Sequence, residues 1–509
     1  MTADKKSLAR NTAYSVAGFV VSFLLPIVVT PYCVAKVSME LYGVWVVLQG
    51  VVLWLSRFDL GIGQGLAMEV AGRRARGDAE GLKTLGASWF WFDLGVGALL
   101  VVGVGLGART LLRSMVPSGH PAYFVICAIG AQAAFTPLLR HLNATLAGLQ
   151  RLDQVNLVSI VITPLSVAGL VLALESGFGL AGMAFNGVLF AALQVVILAA
   201  LLEKQGADPG GSPRRFRWKE LAGLIRRGWM IEVNQWLHVI FRSDRLLLIA
   251  RGAMPSEVAH YQFGSAVVER LGGFLGVLSS GVLPAAADLE ARGDRDRLHL
   301  LLMRGTKYHA LAAFGILGFA ALFGRELLVL WMGESIPGAE SVLRIIALSS
   351  GVLAVGSAAH GIGLAKGRSG LLLGSTAGGL GAALLLYMGM GHRYDVRGLA
   401  GSVTAGLVLS QIVFMMGLHG TLKFSWREYL GNALLRPLVV GVSPVLVWGA
   451  WRLAAIRPEF VDTRLEAAAL LVPSFLLSCI LCWVLARAAK VIDGYDLGVI
   501  KSLWGRPPA

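Results

Sequence analysis

Apolar stretches recur along this chain from near residue 12 to near residue 487, and each is close to the roughly 20 residues that a helix needs to cross the hydrocarbon core of a bilayer. Hydrophobic residues occupy 56% of the 509 positions and charged residues only 15%, and the mean hydropathy is +0.69. Soluble domains have a much more even balance of apolar and polar residues. We therefore predict an all-α, polytopic membrane protein without a separate soluble domain.

The hydropathy pattern predicts about fourteen transmembrane helices, which we number as segments 1 to 14. They are residues 12–34, 42–66, 85–107, 121–141, 155–174, 180–202, 229–250, 257–285, 309–331, 340–362, 370–391, 398–422, 432–451 and 466–487. Basic residues concentrate in the loops after segments 2, 6 and 8, and the positive-inside rule places such loops in the cytoplasm. Because the number of segments is even, both termini are predicted to be cytoplasmic as well.

The longest polar interruption runs from Glu203 to Gly228 and separates six segments from eight. The two parts begin alike, since a helix after Arg10 leads into Tyr42-Gly43 and a helix after Arg227 leads into Tyr261-Gln262. We predict two pseudo-symmetric six-helix lobes, residues 1–203 and 229–422. Residues 204–228 form a cytoplasmic linker between them in this prediction. Residues 423–509 add segments 13 and 14 and a cytoplasmic tail.

Segment 7 carries a polar stripe. At about 100° per residue, five polar positions share an arc of roughly 140°, while Asp244 points the other way. The five are Glu232, Gln235, His238, Arg242 and Arg245. Charge inside a bilayer costs several kcal/mol unless it faces partners or water, so this stripe is predicted to line a polar interior.

Polar residues also follow one face of segments 1, 2 and 8. They include Asn11 at the start of segment 1, Tyr42, Trp45 and Gln49 on segment 2, and Gln262, Ser265 and Glu269 on segment 8. The first two helices of each lobe therefore carry polar stripes, which is what a cavity between two lobes requires. Milder stripes on segments 4 and 5 favour hydrogen bonding between helices.

The arginines of segment 7 are the strongest candidates for binding an anionic ligand. The guanidinium group stays charged and presents a planar fork that suits phosphate or carboxylate. Internal ion pairs with neighbouring carboxylates, or exposure at the outer surface, are the alternatives for Arg242 and Arg245. Arg57 and Asp59 either line the same cavity or anchor the end of segment 2.

Four carboxylates are candidates for binding a coupling proton or sodium ion, namely Glu232, Asp59, Asp244 and Glu269. Apart from H⁺ or Na⁺, no cofactor and no metal site is expected. The net charge of +15 is split among short loops and forms no single basic surface, so we expect no nucleic-acid partner. Metalloprotease and nucleophile-elbow motifs are absent from the sequence, which argues against an enzyme.

Several short patterns occur in a particular order. They are Arg10-Asn11 before a helix with Pro26 and Pro31, Leu41-Tyr42-Gly43, Asp59-Leu60-Gly61-Ile62-Gly63, Asp244 and Tyr261. In these features the chain resembles the multidrug/oligosaccharidyl-lipid/polysaccharide (MOP) exporter superfamily, and within it the Wzx-like polysaccharide and O-antigen flippases. The resemblance implies a two-lobed fold whose central cavity, lined by segments 1, 2, 7 and 8, opens alternately to cytoplasm and periplasm.

Within the superfamily that this chain resembles, fourteen predicted segments favour the polysaccharide and lipid II flippase branches, because the drug exporters of the superfamily usually have twelve segments. The resemblance implies a flippase for undecaprenyl-diphosphate-linked oligosaccharides in a bacterial inner membrane, working beside membrane lipid and other polysaccharide assembly proteins. Arg242, Arg245 and Arg57 would hold the diphosphate. Gln235, His238, Gln262, Gln49, Asn11 and Trp45 complete the predicted substrate-binding set, with aromatic and amide groups suited to sugars. The alternatives are a cation-coupled drug exporter and a membrane glycosyltransferase or polymerase.

Overall fold

The computed structural model describes most of the chain and shows helices as its regular elements. It describes residues 27–55, 63–115, 122–206, 212–242, 252–279, 282–389, 395–453 and 461–489, with a few single positions besides, and no strand occurs within these ranges. The helices of the first half are α1 (Ile27–Val37), α2 (Met39–Leu55), α3 (Gly63–Ala75), α4 (Ala79–Met115), α5 (Ala122–Gly148), α6 (Leu152–Glu175), α7 (Gly179–Lys204) and α8 (Trp218–Arg242). Those of the second half are α9 (Pro255–Ser279), α10 (Val282–Ala291), α11 (Arg295–Leu322), α12 (Gly324–Met332), α13 (Pro337–Ala365), α14 (Ser369–Gly389), α15 (Asp395–Leu422), α16 (Trp426–Leu453) and α17 (Arg464–Ala488).

Among the described residues, nine helices are long and apolar enough to cross a membrane, or ten if one bent pair counts as a single span. The nine correspond to predicted segments 3 to 6 and 10 to 14. Segments 1 and 2 appear in part, as the shorter apolar helices Ile27–Val37 and Met39–Leu53, and segments 7 and 8 correspond to α8 and α9. The prediction of an all-α, multi-pass membrane protein is confirmed.

Segment 9 differs from the prediction of one span over residues 309–331. The helix stops at Leu322 and continues as α12 after a bend of 70°. The bend falls at Phe323, whose side chain is buried, and α12 ends at Gly333 in the left-handed conformation with φ of 91°. Gly324, Arg325 and Glu326 directly follow the bend and interrupt the apolar run, but the prediction of one span over residues 309–331 included them.

The first compact unit comprises Met1–Ala259. Helix α5 contacts α2, α3, α4, α6 and α7 and is the central element of this unit. Trp89, Leu142, Leu146, Leu198 and Leu221 are among the buried residues of its main hydrophobic cluster. Burial of a side chain of this size contributes about 1.5–3 kcal/mol, so the cluster fixes α4, α5, α7 and the start of α8 against one another.

The second compact unit comprises His260–Ala509. Helix α13 contacts α10, α11, α12, α14 and α15. Between α14 and α15 the backbones approach closely, since a Cβ at Gly379 would overlap the Gly406 region and a Cβ at Gly406 would overlap the carbonyl oxygen of Gly379. Close contact of helix backbones at small residues is a common form of helix packing in membranes.

The last two helices belong to the second unit. Helix α16 is irregular, with a π-helical segment at Tyr429–Leu435 and a 3₁₀ turn at Val439–Gly441. Pro444 contributes to the irregular backbone, because it has no N–H to donate to the Val440 carbonyl. That carbonyl instead accepts a hydrogen bond from Ser443 Oγ at 2.8 Å. Trp451 Nε1 donates to Ser474 Oγ at 2.8 Å and joins α16 to α17.

Candidate functional site

The predicted stripe of segment 2 lies on the least buried face of α2. Trp45 and Gln49, one helical turn apart, are half-buried, whereas Val44, Val47 and Leu48 on the other faces are buried. The face of Trp45 and Gln49 is therefore not fully packed within its own unit. Tyr42, which the sequence also assigned to this face, is buried at the start of the helix, so only the later part of the predicted stripe is incompletely packed.

Helix α8 contains the stripe of segment 7 and begins at Trp218, inside the stretch predicted as a linker. His238 is half-buried and interacts with neighbouring groups. One turn before it, Asn234 is only 8% exposed, and its Oδ1 has no hydrogen-bond partner in the described part of the chain. A buried amide oxygen without a partner is unusual, so Asn234 is a further polar group on the inner side of this helix.

Several of the residues predicted to bind the substrate or a coupling ion lie outside the described residues. This holds for Asn11, Arg57, Asp59, Asp244 and Arg245. Helix α8 contains Glu232, Gln235 and, as its last residue, Arg242. The structure does not describe the side chains of these three residues. Their assignment to substrate binding or ion coupling stays a prediction.

The stripe of segment 8 lies on α9. Gln262 and Glu269, seven residues apart on one helical face, are both half-buried, and Glu269 interacts with a neighbouring group. Ser265 was predicted on the same face but is 2% exposed and donates to the Gln262 carbonyl at 3.2 Å. Arg270, which the sequence analysis did not single out, lies over the Trp331 ring at 5.3 Å from its centroid.

The Leu41-Tyr42-Gly43 motif has a steric role at the start of α2. A Cβ at Gly43 would overlap the carbonyl oxygen of Pro255, which opens α9. Only glycine allows the backbone of α2 to approach this carbonyl so closely. Gly43 therefore fixes the close approach of α2 to Pro255, and this glycine does not itself supply a binding group.

An ion pair joins the ends of α1 and α6. Lys36 Nζ lies 2.8 Å from Glu175 Oε2, and the Tyr32 hydroxyl donates to Glu175 Oε1 at 2.7 Å. The contact requires the two helix ends to lie on the same side of the membrane. This agrees with the predicted topology, in which both ends face the periplasm.

A second charged network lies at the opposite ends of the helices. The Arg73 guanidinium contacts Glu69 at 2.9 Å and Glu220 at 2.6 Å and donates to the Gly81 carbonyl at 2.8 Å. Burial lowers the pKa of Arg73, but the hydrogen bonds to both carboxylates outweigh it and the pKa is raised above its ordinary value. Arg73 thus joins α3, the start of α4 and the first turn of α8.

Helices α4 and α5 bury a carboxylate beside an imidazole. Asp93 Oδ2 lies 3.6 Å from His141 Nδ1, and the two side chains are each 2% exposed. Asp93 interacts with a further group as well, while neither ring nitrogen of His141 has a hydrogen-bond partner among the described residues. Neither residue belongs to a predicted polar stripe, although an ionisable residue within a membrane segment is a functional candidate in its own right.

Comparisons with known proteins find similarity in structure only. No protein-family model matches the chain, and no curated protein matches it. An inward-facing multidrug resistance MATE family transporter of the MOP superfamily matches with a TM-score of 0.66 and 16% identity, over 81% of this chain and 94% of its own. The lipid II flippase MurJ in an inward closed conformation matches with a TM-score of 0.70 and 13% identity, over 94% of this chain and 99% of its own.

A MOP superfamily transporter from Pyrococcus furiosus Vc1 matches with a TM-score of 0.60 and 17% identity, over 83% of this chain and 97% of its own. Three membrane transporters, two of them described as MOP superfamily members, thus match the chain over most of its length. This chain has the fold of MOP superfamily transporters. The resemblance predicted from the sequence is confirmed at the level of the fold.

Within the MOP fold, the two neighbours differ in how much of this chain they account for. The MATE family transporter covers 81% and MurJ covers 94%. Residues 423–509, which contain α16 and α17, are the part predicted to follow the two six-helix lobes. The wider coverage by MurJ is the match expected of a MOP chain with additional helices.

Helix α17 presents a continuous apolar row. Val472, Leu476, Ile480 and Val484 are spaced by four residues and are 60%, 57%, 60% and 52% exposed. In a membrane-spanning helix, such a row faces acyl chains. This pattern is typical of a helix with one side against lipid.

Proposed function

We propose that this chain is a flippase for undecaprenyl-diphosphate-linked oligosaccharides, acting by alternating access in the bacterial inner membrane during cell-surface polysaccharide synthesis. The observation that carries the proposal is the match to the lipid II flippase MurJ over 94% of this chain and 99% of that one. A likeness of this extent supports transport of a lipid-linked substrate. The choice of glycan comes from the sequence resemblance to Wzx-like flippases.

The polar faces of α2, α8 and α9 support a polar substrate. Trp45 and Gln49 combine a flat apolar ring with an amide, which suits sugar rings and their hydroxyls. Arg242 and Arg245, with Arg57, are proposed to bind the diphosphate through charge-assisted hydrogen bonds. The polyprenyl tail remains in the bilayer, for which the exposed row of α17 offers a complementary surface.

We propose that a coupling proton or sodium ion assists release of the bound diphosphate. Glu269 is the described member of the predicted coupling set, which also contains Glu232, Asp59 and Asp244. The buried pair of Asp93 and His141 is a second place where a proton can be exchanged. A carboxylate that is charged in one conformation and neutral in the other would shift the equilibrium between the form open to the cytoplasm and the form open to the periplasm.

A cation-coupled drug exporter is the second candidate, because several of the matching structures are MATE family transporters. The two functions differ in the charge of the cargo. A drug exporter should carry cationic amphiphiles and should depend on carboxylates, whereas the proposed flippase depends on arginines.

Reconstitution in liposomes with a lipid-linked oligosaccharide tests the proposal. Intact protein is expected to expose the oligosaccharide on the far leaflet, and the double variant Arg242→Ala/Arg245→Ala is expected to lose about tenfold or more of the rate, since each charge-assisted hydrogen bond contributes about 1.5–3 kcal/mol. Arg292→Ala/Arg297→Ala is the matched control, because these exposed arginines pair only with neighbouring aspartates on the surface.

Three outcomes separate the possibilities. Absence of flipping by intact protein would refute the flippase function. Normal flipping by the Arg242/Arg245 double variant would refute the site and leave the function standing. Efflux of a cationic dye by intact protein, without flipping, would favour the drug exporter.

A further inference from the structure

A polar cavity lies at the first residues of α16, outside the predicted substrate site. It has a volume of about 420 Å³ and is lined by Ser425, Arg427, Glu428, Gly431, Asn432 and Arg436. Helix α16 is one of the candidate membrane spans, and the cavity lies where that span begins. Its setting is therefore the boundary between water and hydrocarbon.

The backbone at the cavity departs from regular helix. Residues Tyr429–Leu435 form a π-helix, in which Arg436 N–H bonds to the Gly431 carbonyl. π-helical turns are rare and frequently occur at functional sites. Gly431 has no side chain, and a Cβ built there would meet nothing within 4 Å. The wider turn and the glycine together leave room between the polar side chains.

The charges around the cavity favour a singly charged anion. Arg427 and Arg436 are exposed, and within the described part of the chain neither guanidinium forms an ion pair. Glu428 is the acidic residue of the lining, and its Oε2 lies 3.8 Å from His299 Nε2. Two arginines and one glutamate leave one net positive charge, with Ser425 and Asn432 as neutral donors.

Apolar side chains beside the cavity point to a lipid. Leu430, Leu435, Leu438 and Val439 on the same helix are all exposed. Basic pockets at the membrane interface bind anionic lipid headgroups, because the phosphate meets the cations while the acyl chains remain in hydrocarbon. A free phosphate ion would make no use of this apolar surface.

We propose that this cavity binds the headgroup of an anionic bilayer phospholipid. Arg427 and Arg436 donate to the phosphate, since the guanidinium fork suits phosphate oxygens. The single net positive charge balances one phosphodiester but leaves most of the charge of a diphosphate uncompensated. The inference depends only on the membrane location of α16 and does not rest on the proposed flippase function.

Binding of phosphatidylglycerol to the purified full-length protein tests this proposal directly. Native mass spectrometry in detergent would count bound phosphatidylglycerol against phosphatidylcholine, and a titration would give the apparent affinities. Intact protein is expected to prefer phosphatidylglycerol. Arg427→Gln/Arg436→Gln is expected to weaken its binding about tenfold or more, while Glu428→Gln strengthens it severalfold.

Arg452→Gln/Arg487→Gln is the matched control. It removes the same amount of charge, one arginine from the far end of α16 and one from α17, but these arginines lie over Trp448 and Trp483 and do not line the cavity. Its phosphatidylglycerol binding should remain that of intact protein. Equal affinities of intact protein and the Arg427/Arg436 variant would overturn the proposal, as would the absence of any preference for phosphatidylglycerol.

Competition separates the sources of phosphate. Inorganic phosphate at the same concentration should not displace phosphatidylglycerol, and displacement by it would refute a lipid site. A polyprenyl diphosphate that binds tighter than phosphatidylglycerol, and loses this advantage in the Arg427/Arg436 variant, would assign the cavity to the carrier lipid and likewise overturn the proposal. Because these readouts measure binding, they do not depend on whether the protein flips its substrate.

Discussion

At the scale of single residues, Gly43 shows how a short sequence pattern acts through sterics. Its Cα lies against the Pro255 carbonyl, and any side chain would overlap that oxygen. Gly43→Ala is expected to lower stability by about 1–3 kcal/mol, the usual cost of forcing a methyl group into a packed contact. Thermal unfolding of the purified variant in detergent would measure the loss.

Gly95→Ala is the control for this prediction. Gly95 lies within α4, and a Cβ built there would meet nothing within 4 Å. The unfolding midpoint of Gly95→Ala should remain close to that of intact protein. If Gly43→Ala does not unfold at a lower temperature than Gly95→Ala, the inferred steric role of Gly43 against Pro255 is wrong.

Individual polar residues were harder to assign from sequence than helices were. Periodicity placed Trp45, Gln49, Gln262 and Glu269 on incompletely buried faces, as the structure does. Tyr42 and Ser265 were assigned to the same faces but are buried, because periodicity shows which residues share a face and does not show whether a neighbouring helix covers that face.

The pair of Asp93 and His141 was missed for a different reason. His141 ends segment 4, whose stripe favours hydrogen bonding between helices, and Asp93 is the one charged residue within segment 3 and belongs to no stripe. Their proximity depends on how α4 crosses α5, and one sequence does not contain that information. A rule that every carboxylate within an apolar segment needs a partner would have singled out Asp93.

At the scale of elements, hydropathy located the helices well and their ends poorly. Segments 3 to 6 and 10 to 14 all correspond to helices of the structure. The bend at Phe323 and the start of α8 at Trp218 were not predicted. Hydropathy averages over a window of about 19 residues, so it passes over a short polar interruption such as Gly324-Arg325-Glu326 and does not detect a helical turn made of polar residues.

The contact between α14 and α15 gives a prediction at the same scale. Gly379 and Gly406 let the two backbones meet, and a larger residue at Gly379 would have to push α15 away. Gly379→Val is expected to destabilise the folded protein by about 1–3 kcal/mol. Gly381→Val on the same helix is the matched control, because a Cβ at Gly381 meets nothing within 4 Å.

The measurement is the fraction of protein that remains monodisperse after heating in detergent. Gly379→Val should aggregate at a lower temperature than intact protein, and Gly381→Val should behave as intact protein does. Equal behaviour of the two variants would show that close backbone packing does not hold α14 against α15.

At the scale of the whole molecule, sequence and structure agree on the fold, while orientation in the membrane comes from charge alone. The basic loops place the end of α6 outside the cytoplasm and the turn after α10 inside it. The ion pair of Lys36 and Glu175 adds an independent constraint, because it places the ends of α1 and α6 on one side. An experiment that determines on which side of the membrane a helix end lies therefore also tests the contact between the ends of α1 and α6.

Cysteine labelling in cells decides this orientation. With the four native cysteines replaced, Ser176→Cys beside the end of α6 should react with a membrane-impermeant maleimide added outside spheroplasts, since the residue is exposed. Arg292→Cys, exposed after α10, should react only after the membrane is permeabilised. The reverse pattern would invert the topology, and with it the direction in which the proposed flippase presents its substrate. Labelling of both sites from outside would contradict the helix count between them, because an odd number of spans must separate two residues on opposite sides.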